Sequence, residues 1–173
     1  MSLSESSVFG TKYTNALNDS IVYHGSSLEV KDPKILITKK SKDFGYGFYV
    51  TNIENQAKRW ALRNLSFGRN AVVTKFYLNV NSSLNIKVFK EVDDEWVDFI
   101  ANCRSNVPHN YDIVEGPMVD DKVFNFALMY LRGQLPKQIF VEYCKFYYHT
   151  HQICFCSDRA LKCLKFIESY EVE

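Results

Sequence analysis

Apolar residues recur along this chain in short runs, some with the period of a strand and some with that of a helix. Ile21-Val22-Tyr23-His24, closed by Gly25-Ser26-Ser27, predicts a strand and a turn. Phe44 to Val50 predicts a second strand, entered through Gly45 and Gly47. Ile53, Ala57, Trp60, Ala61 and Asn64 share one helical face, and Thr51 with Glu54 has the spacing of a capping box. Gly68 is placed to stop that helix near residue 66. Val72 to Val80 is rich in strand formers. Trp96, Phe99, Ile100 and Cys103 follow the helical pattern behind Asp93-Asp94-Glu95, whose charge suits a helix start. Residues 111–115 predict a short strand closed by Gly116-Pro117. Asp120 and Asp121 open an apolar helix through Leu131 that Gly133 ends, and Pro136 suits the first turn of another, running to about Lys145. Gln152 to Cys156 predicts a strand. Ser157 caps a last helix carrying Ala160, Leu161, Leu164 and Ile167. Residues 1–19 are polar and aperiodic and are expected to be a flexible lead-in. Residues 28–44, with Pro33 and the basic cluster Lys39, Lys40 and Lys42, are expected to be a loop. Strands and helices mix without a strict alternation, which predicts one α+β domain over 20–173.

Composition narrows the function classes. The chain has 173 residues, 46% of them apolar, and its 13 Phe, 11 Tyr and 2 Trp supply a core without metal or disulfide staples. That rules out disorder as a description of the whole chain. Lys plus Arg number 21 against 20 Asp plus Glu, so the net charge of +1 does not favour nucleic acid as a partner. No apolar run approaches the roughly 20 residues of a membrane span. The first twenty residues lack the apolar centre of a secretory signal, so a cytoplasmic location and no membrane partner are expected. Five cysteines, an odd number, then read as reduced thiols, and the C-x-C of Cys154 and Cys156 lacks zinc-site spacing. No metal is expected.

Phosphate-loop, nucleophile-elbow and metalloprotease motifs are all absent. Gly45-Tyr46-Gly47 taken alone is a turn. His24 taken alone is a polar residue at a strand end, at an edge where ligands often bind. In combination, Tyr23-His24-Gly25-Ser26, the run from Phe44 to Ala61 and the late strand from Gln152 resemble the ADP-ribosyltransferase superfamily. The likeness is to its His-Tyr-Glu branch, and most of all to a bacterial family of uncharacterised domains. That family shows Y-H-G-S, D-F-G-x-G-F-Y, Y-D-I-V-x-G-P-x-x-D-D and a late Q-I-x-F strand followed by A-L-K. These are matched at Asp43–Tyr49, Tyr111–Asp121, Gln152–Phe155 and Ala160–Lys162.

The resemblance implies split antiparallel sheets with surrounding helices, NAD as substrate, and mono-ADP-ribosyl transfer to an acceptor macromolecule. It also implies the setting of a bacterial toxin held by an antitoxin. NAD binding without transfer, and NAD hydrolysis, are the alternatives. His24 corresponds to the histidine that bonds a ribose hydroxyl, and an imidazole both donates and accepts. Gly25 corresponds to the residue whose backbone holds the nicotinamide amide, with Ser26 in support. Tyr49 corresponds to the aromatic stacked on nicotinamide, while Gly45 and Gly47 shape the strand beside it. Trp60 is either a second aromatic wall or a core anchor of its helix. The departure is Gln152, which stands where the branch carries a catalytic Glu. Glutamine keeps a hydrogen bond but not the charge that steadies an oxocarbenium, a loss on the order of 10²–10³ in rate. Glu115, Asp120 and Asp121 are therefore candidate substrate-side acids, although an acidic pair before a helix is also an ordinary cap. His149 and His151 flank Thr150 and read better as a polar rim than as a metal pair.

Overall fold

The computed structural model describes residues 17, 19–37, 42–80, 83–118, 126, 129–130, 132–146 and 150–173. Among them, seven strands form two sheets. The first has the order β1 (Ser20–Ser26), β3 (Val72–Leu78), β7 (Leu164–Glu171) and is antiparallel throughout. The second has the order β2 (Phe48–Val50), β6 (Gln152–Phe155), β5 (Ile113–Gly116), β4 (Ile86–Val88). Its β2–β6 and β6–β5 pairs are antiparallel, but β4 runs parallel to β5, so the second sheet is mixed where antiparallel pairing was expected. The helices are α1 (Glu54–Leu62), α2 (Asp94–Arg104), α3 (Lys137–Phe146) and the single turn α4 (Asp158–Leu161), with a 3₁₀ turn at Arg63–Phe67. The class is α+β.

The period of two in the strands sorts their side chains into layers. Val22, Phe76, Leu78 and Leu164 from the first sheet meet Phe48, Val50, Ile113, Ile153 and Phe155 from the second, all buried. The opposite face of the second sheet, with Val114 and Cys154, packs on Trp96, Val97 and Ile100 of α2 and on Phe140 of α3. The opposite face of the first, with Val73, packs on Ala57 and Ala61 of α1. The sheets are joined at one seam. Tyr23 and Thr51 exchange backbone hydrogen bonds of 2.8 and 2.9 Å between β1 and the end of β2.

Several sequence expectations change in the fold. The last helix stops after one turn. Ser157 does cap it, accepting from the Ala160 N–H, but Leu164 and Phe166 then alternate inward as strand β7 while Ile167 stays exposed. Leu161, Leu164 and Ile167 fit a helical stripe, yet pairing with β3 wins because it supplies a full ladder. The second strand is confined to Phe48–Val50. The chain before it makes a tight bridge between Lys42 and Gly45, with Gly45 at φ +83°. The capping box does not form. Thr51 Oγ1 accepts from the Ile53 N–H at 3.1 Å, and Glu54 instead binds Lys58 and the Tyr170 hydroxyl. Most of the helix expected from Asp120 to Leu131, including both aspartates, lies outside the described residues, as does most of the 1–19 lead-in. Among the described residues no helix is long and apolar enough to cross a membrane.

Candidate functional site

A cavity of about 310 Å³ opens at the seam between the sheets, against the N-terminal half of α1. His24 of β1, Tyr49 of β2 and Gln152 at the start of β6 all line it. His24 enters with Nδ1 2.7 Å from the Tyr49 carbonyl and its ring 4.4 Å from that of Phe48. A carbonyl only accepts, so Nδ1 carries the proton and Nε2 is left as an acceptor. Burial lowers the His24 pKa from its ordinary value of 6.5, and the nearby Lys42 charge adds to this, against the opposing pull of the Tyr49 carbonyl. The imidazole is therefore neutral at pH 7.

Tyr49 is anchored at its far end. Its hydroxyl donates to the Gly45 carbonyl at 2.7 Å and accepts from the Phe44 N–H at 3.1 Å. Burial raises its pKa well above the ordinary phenol value. The Lys42 ammonium lies 4.8 Å from the ring centroid. Trp60 lines the cavity from α1 and is 38% exposed, with the Arg63 guanidinium 4.0 Å over its ring. It is thus a wall at the mouth and not a core anchor.

Gln152 is buried, and its amide nitrogen donates to Asp43 Oδ2 at 3.1 Å and to the Pro117 carbonyl at 3.2 Å. Both N–H bonds are spent, so the amide presents its oxygen as the remaining acceptor. Asp43 is itself buried and forms a two-armed ion pair with Arg104, through Nε at 3.0 Å and through Nη2. Arg104 and Asp43 also line the cavity.

A family model described as "Protein of unknown function (DUF3990)" matches residues 20–166, well over half of the chain. The chain belongs to the DUF3990 family. No curated protein and no solved structure matches it. The stretch matched by the DUF3990 model includes every residue of the cavity.

The remaining residues expected at the site divide sharply in this DUF3990 domain. Gly25 lines the cavity, but the need for glycine comes from α1: a Cβ there would meet the Ala57 carbonyl oxygen at 2.1 Å. Ser26 turns away, its hydroxyl donating to the Leu28 carbonyl at 2.6 Å, and does not line the cavity. Gly45 and Gly47 also lie off the cavity. Gly47 packs on β6, where a Cβ would meet Cys154 Sγ at 2.4 Å. Glu115 is 1% exposed and is not a cavity residue; it accepts from His151 Nε2 at 3.0 Å. The Asn52 N–H donates to His151 Nδ1 at 3.2 Å, which fixes that tautomer. Asp120, Asp121 and His149 lie outside the described residues.

Among the polar residues of the DUF3990 cavity that sequence reading did not place there are Asp43, Arg104 and Gln56. Asp43 opens the matched D-F-G-x-G-F-Y run, so its signal was present. Arg104 stands in the last turn of α2, where a cation has an ordinary reason to be. Gln56 also lines the cavity, and its amide grips the His151 backbone, donating to the carbonyl at 2.6 Å and accepting from the N–H at 3.0 Å. Nothing in the sequence marks that contact.

Proposed function

We propose that the chain is an NAD-dependent mono-ADP-ribosyltransferase of the cytosol. The observation that carries this reading is that His24, Tyr49 and Gln152, from three different strands, line one cavity. Its volume sits at the low end of the roughly 300–1,000 Å³ typical of small-molecule sites, which suits the nicotinamide and its ribose and leaves the adenosine half outside. Two acceptors, His24 Nε2 and Gln152 Oε1, suit the paired hydroxyls of that ribose. Tyr49 and Trp60, both lining the cavity, suit the flat nicotinamide. The Lys42 contact on Tyr49 is worth only about 0.5–1 kcal/mol at an exposed site, so a planar cation can replace it. In the reaction the bond between the ribose C1′ and the nicotinamide nitrogen breaks. Nicotinamide leaves with the electron pair, the sugar becomes an oxocarbenium, and the acceptor attacks C1′ and releases its proton. The resemblance in sequence adds an acceptor macromolecule and restraint by an antitoxin to this proposal.

A second reading is NAD binding without transfer. Gln152 favours it, because it carries no charge and the carboxylate it touches, Asp43, is held by Arg104. Labelled NAD incubated with the protein and a cell lysate discriminates. Labelled macromolecules, lost in His24→Ala, support transfer. Free ADP-ribose as the sole product identifies a hydrolase. Calorimetric binding with neither product leaves a binding module, and absence of binding overturns the reading of the cavity.

A further inference from the structure

Behind Tyr49, on the side facing α2, the second sheet carries thiols that the cavity does not use. Cys154 and Cys156 are two apart on and just beyond β6, so both side chains fall on one face. Their sulfurs are 3.3 Å apart. Two residues of extended chain separate their Cα atoms by roughly 6.6 Å, inside the 4.4–6.8 Å that a disulfide spans. Cys154 is fully buried, whereas Cys156 is half-buried and reachable. His109 stands beside Cys156, with Nε2 3.0 Å from the Phe44 carbonyl. The Cys154 contact draws the Cys156 thiol down to about 6 and His109 adds to this, while burial pushes the Cys154 thiol up. No group of three or more metal-ligating side chains with metal-holding geometry occurs among the described residues.

We propose that Cys154 and Cys156 are a redox-modification site, oxidised by a hydroperoxide to a reversible disulfide. The Cys156 thiolate attacks the peroxide, the O–O bond breaks, and an alcohol or water leaves, giving a sulfenic acid. Cys154 sulfur then attacks that sulfur, the S–O bond breaks, and the hydroxyl leaves as water with the Cys154 proton. In sum, two thiols and one peroxide give a disulfide, an alcohol (water from hydrogen peroxide) and a water. Cys156 keeps one end of the bridge partly exposed, and exposed bridges are readily reduced by a dithiol. Cys154 lies opposite Tyr49 in the ladder and fills the space above Gly47, so the bridge draws sulfur away from the wall of the cavity.

The wild-type protein tests this without any variant. After stoichiometric hydrogen peroxide and alkylation, peptide mass spectrometry is expected to show a Cys154–Cys156 bridge, lighter by two hydrogen atoms and reversed by dithiothreitol. Before oxidation, Cys156 is expected to alkylate roughly tenfold or more faster than Cys154. Cys154→Ser is expected to stop at a Cys156 sulfenic acid that dimedone captures. Peroxide treatment that leaves both thiols alkylatable, or that bridges Cys156 to a different cysteine, overturns the proposal.

Discussion

The amide nitrogen of Gln152 donates to Oδ2 of Asp43 at 3.1 Å. The glutamine is thereby held by a carboxylate, and its orientation is set by acceptors alone. Gln152→Glu places an anion against Asp43 and the Pro117 carbonyl. The variant is expected to lose about 2–4 kcal/mol of stability near pH 8. The inserted carboxyl has its folded pKa raised above the unfolded value of about 4.3, so the loss is full above the folded pKa and fades as acid protonates it. Urea denaturation at two pH values checks this. A penalty independent of pH would count against the assigned amide orientation.

Gly25→Ala separates packing from ligand approach. The added methyl meets the Ala57 carbonyl oxygen, which is backbone and has no rotamer to yield. A loss of about 1–3 kcal/mol or more is expected in the ligand-free protein. Unchanged stability there would show that α1 does not press on β1 as described.

Acid acts on His24 with a definite sign. Its folded pKa is lowered, so over the window between that value and 6.5 the unfolded chain binds more protons. The His24 contribution is full above about 6.5 and is lost as pH falls through the folded pKa. His24→Asn is expected to show a flatter stability profile across this window in thermal melts, and an identical profile in both proteins would refute the part-buried neutral imidazole.

Asp112 anchors the opposite end of the second sheet. It accepts from the Asn85 N–H at 2.8 Å and the Ser157 hydroxyl at 2.6 Å, and it pairs with Arg159. The Arg159 guanidinium first, and then these hydrogen bonds, hold its carboxyl far below the ordinary value of 3.8. Its stabilisation is present above that value and is lost as pH falls toward the depressed one. Arg159 is 58% exposed, so Asp112→Asn is expected to cost only about 1–2 kcal/mol at neutral pH. The difference should shrink in strong acid, as guanidinium titrations at both pH values would reveal.

Strong local signals survived folding. Asp93 caps α2 by accepting from the Trp96 N–H at 2.8 Å, and Ser157 caps α4. Trp96, Ile100 and Cys103 are buried at their helical spacing. What failed was decided at long range. Leu164 to Glu171 satisfies either period, and only β3, some ninety residues earlier in the chain, selects the strand. Glu115 and Gln152 were both visible as candidates, but which one reaches the cavity depends on strand alternation. Gln152 falls on the Tyr49 side of the second sheet, whereas Glu115 falls on the other side and meets His151. Asp43 gained its place from Arg104, a contact that spans 61 positions in sequence.

The grip of Gln56 on His151 extends a sheet by means of a helix. A side-chain amide supplies one acceptor and one donor to the backbone of the residue before β6, as a neighbouring strand would. In hydrogen exchange the His151 amide proton then belongs with the slow β6 set, although its residue is in no strand. Releasing it requires the Gln56 side chain to let go, so its exchange rate reports the opening of this part of the cavity wall on a timescale that no static distance conveys.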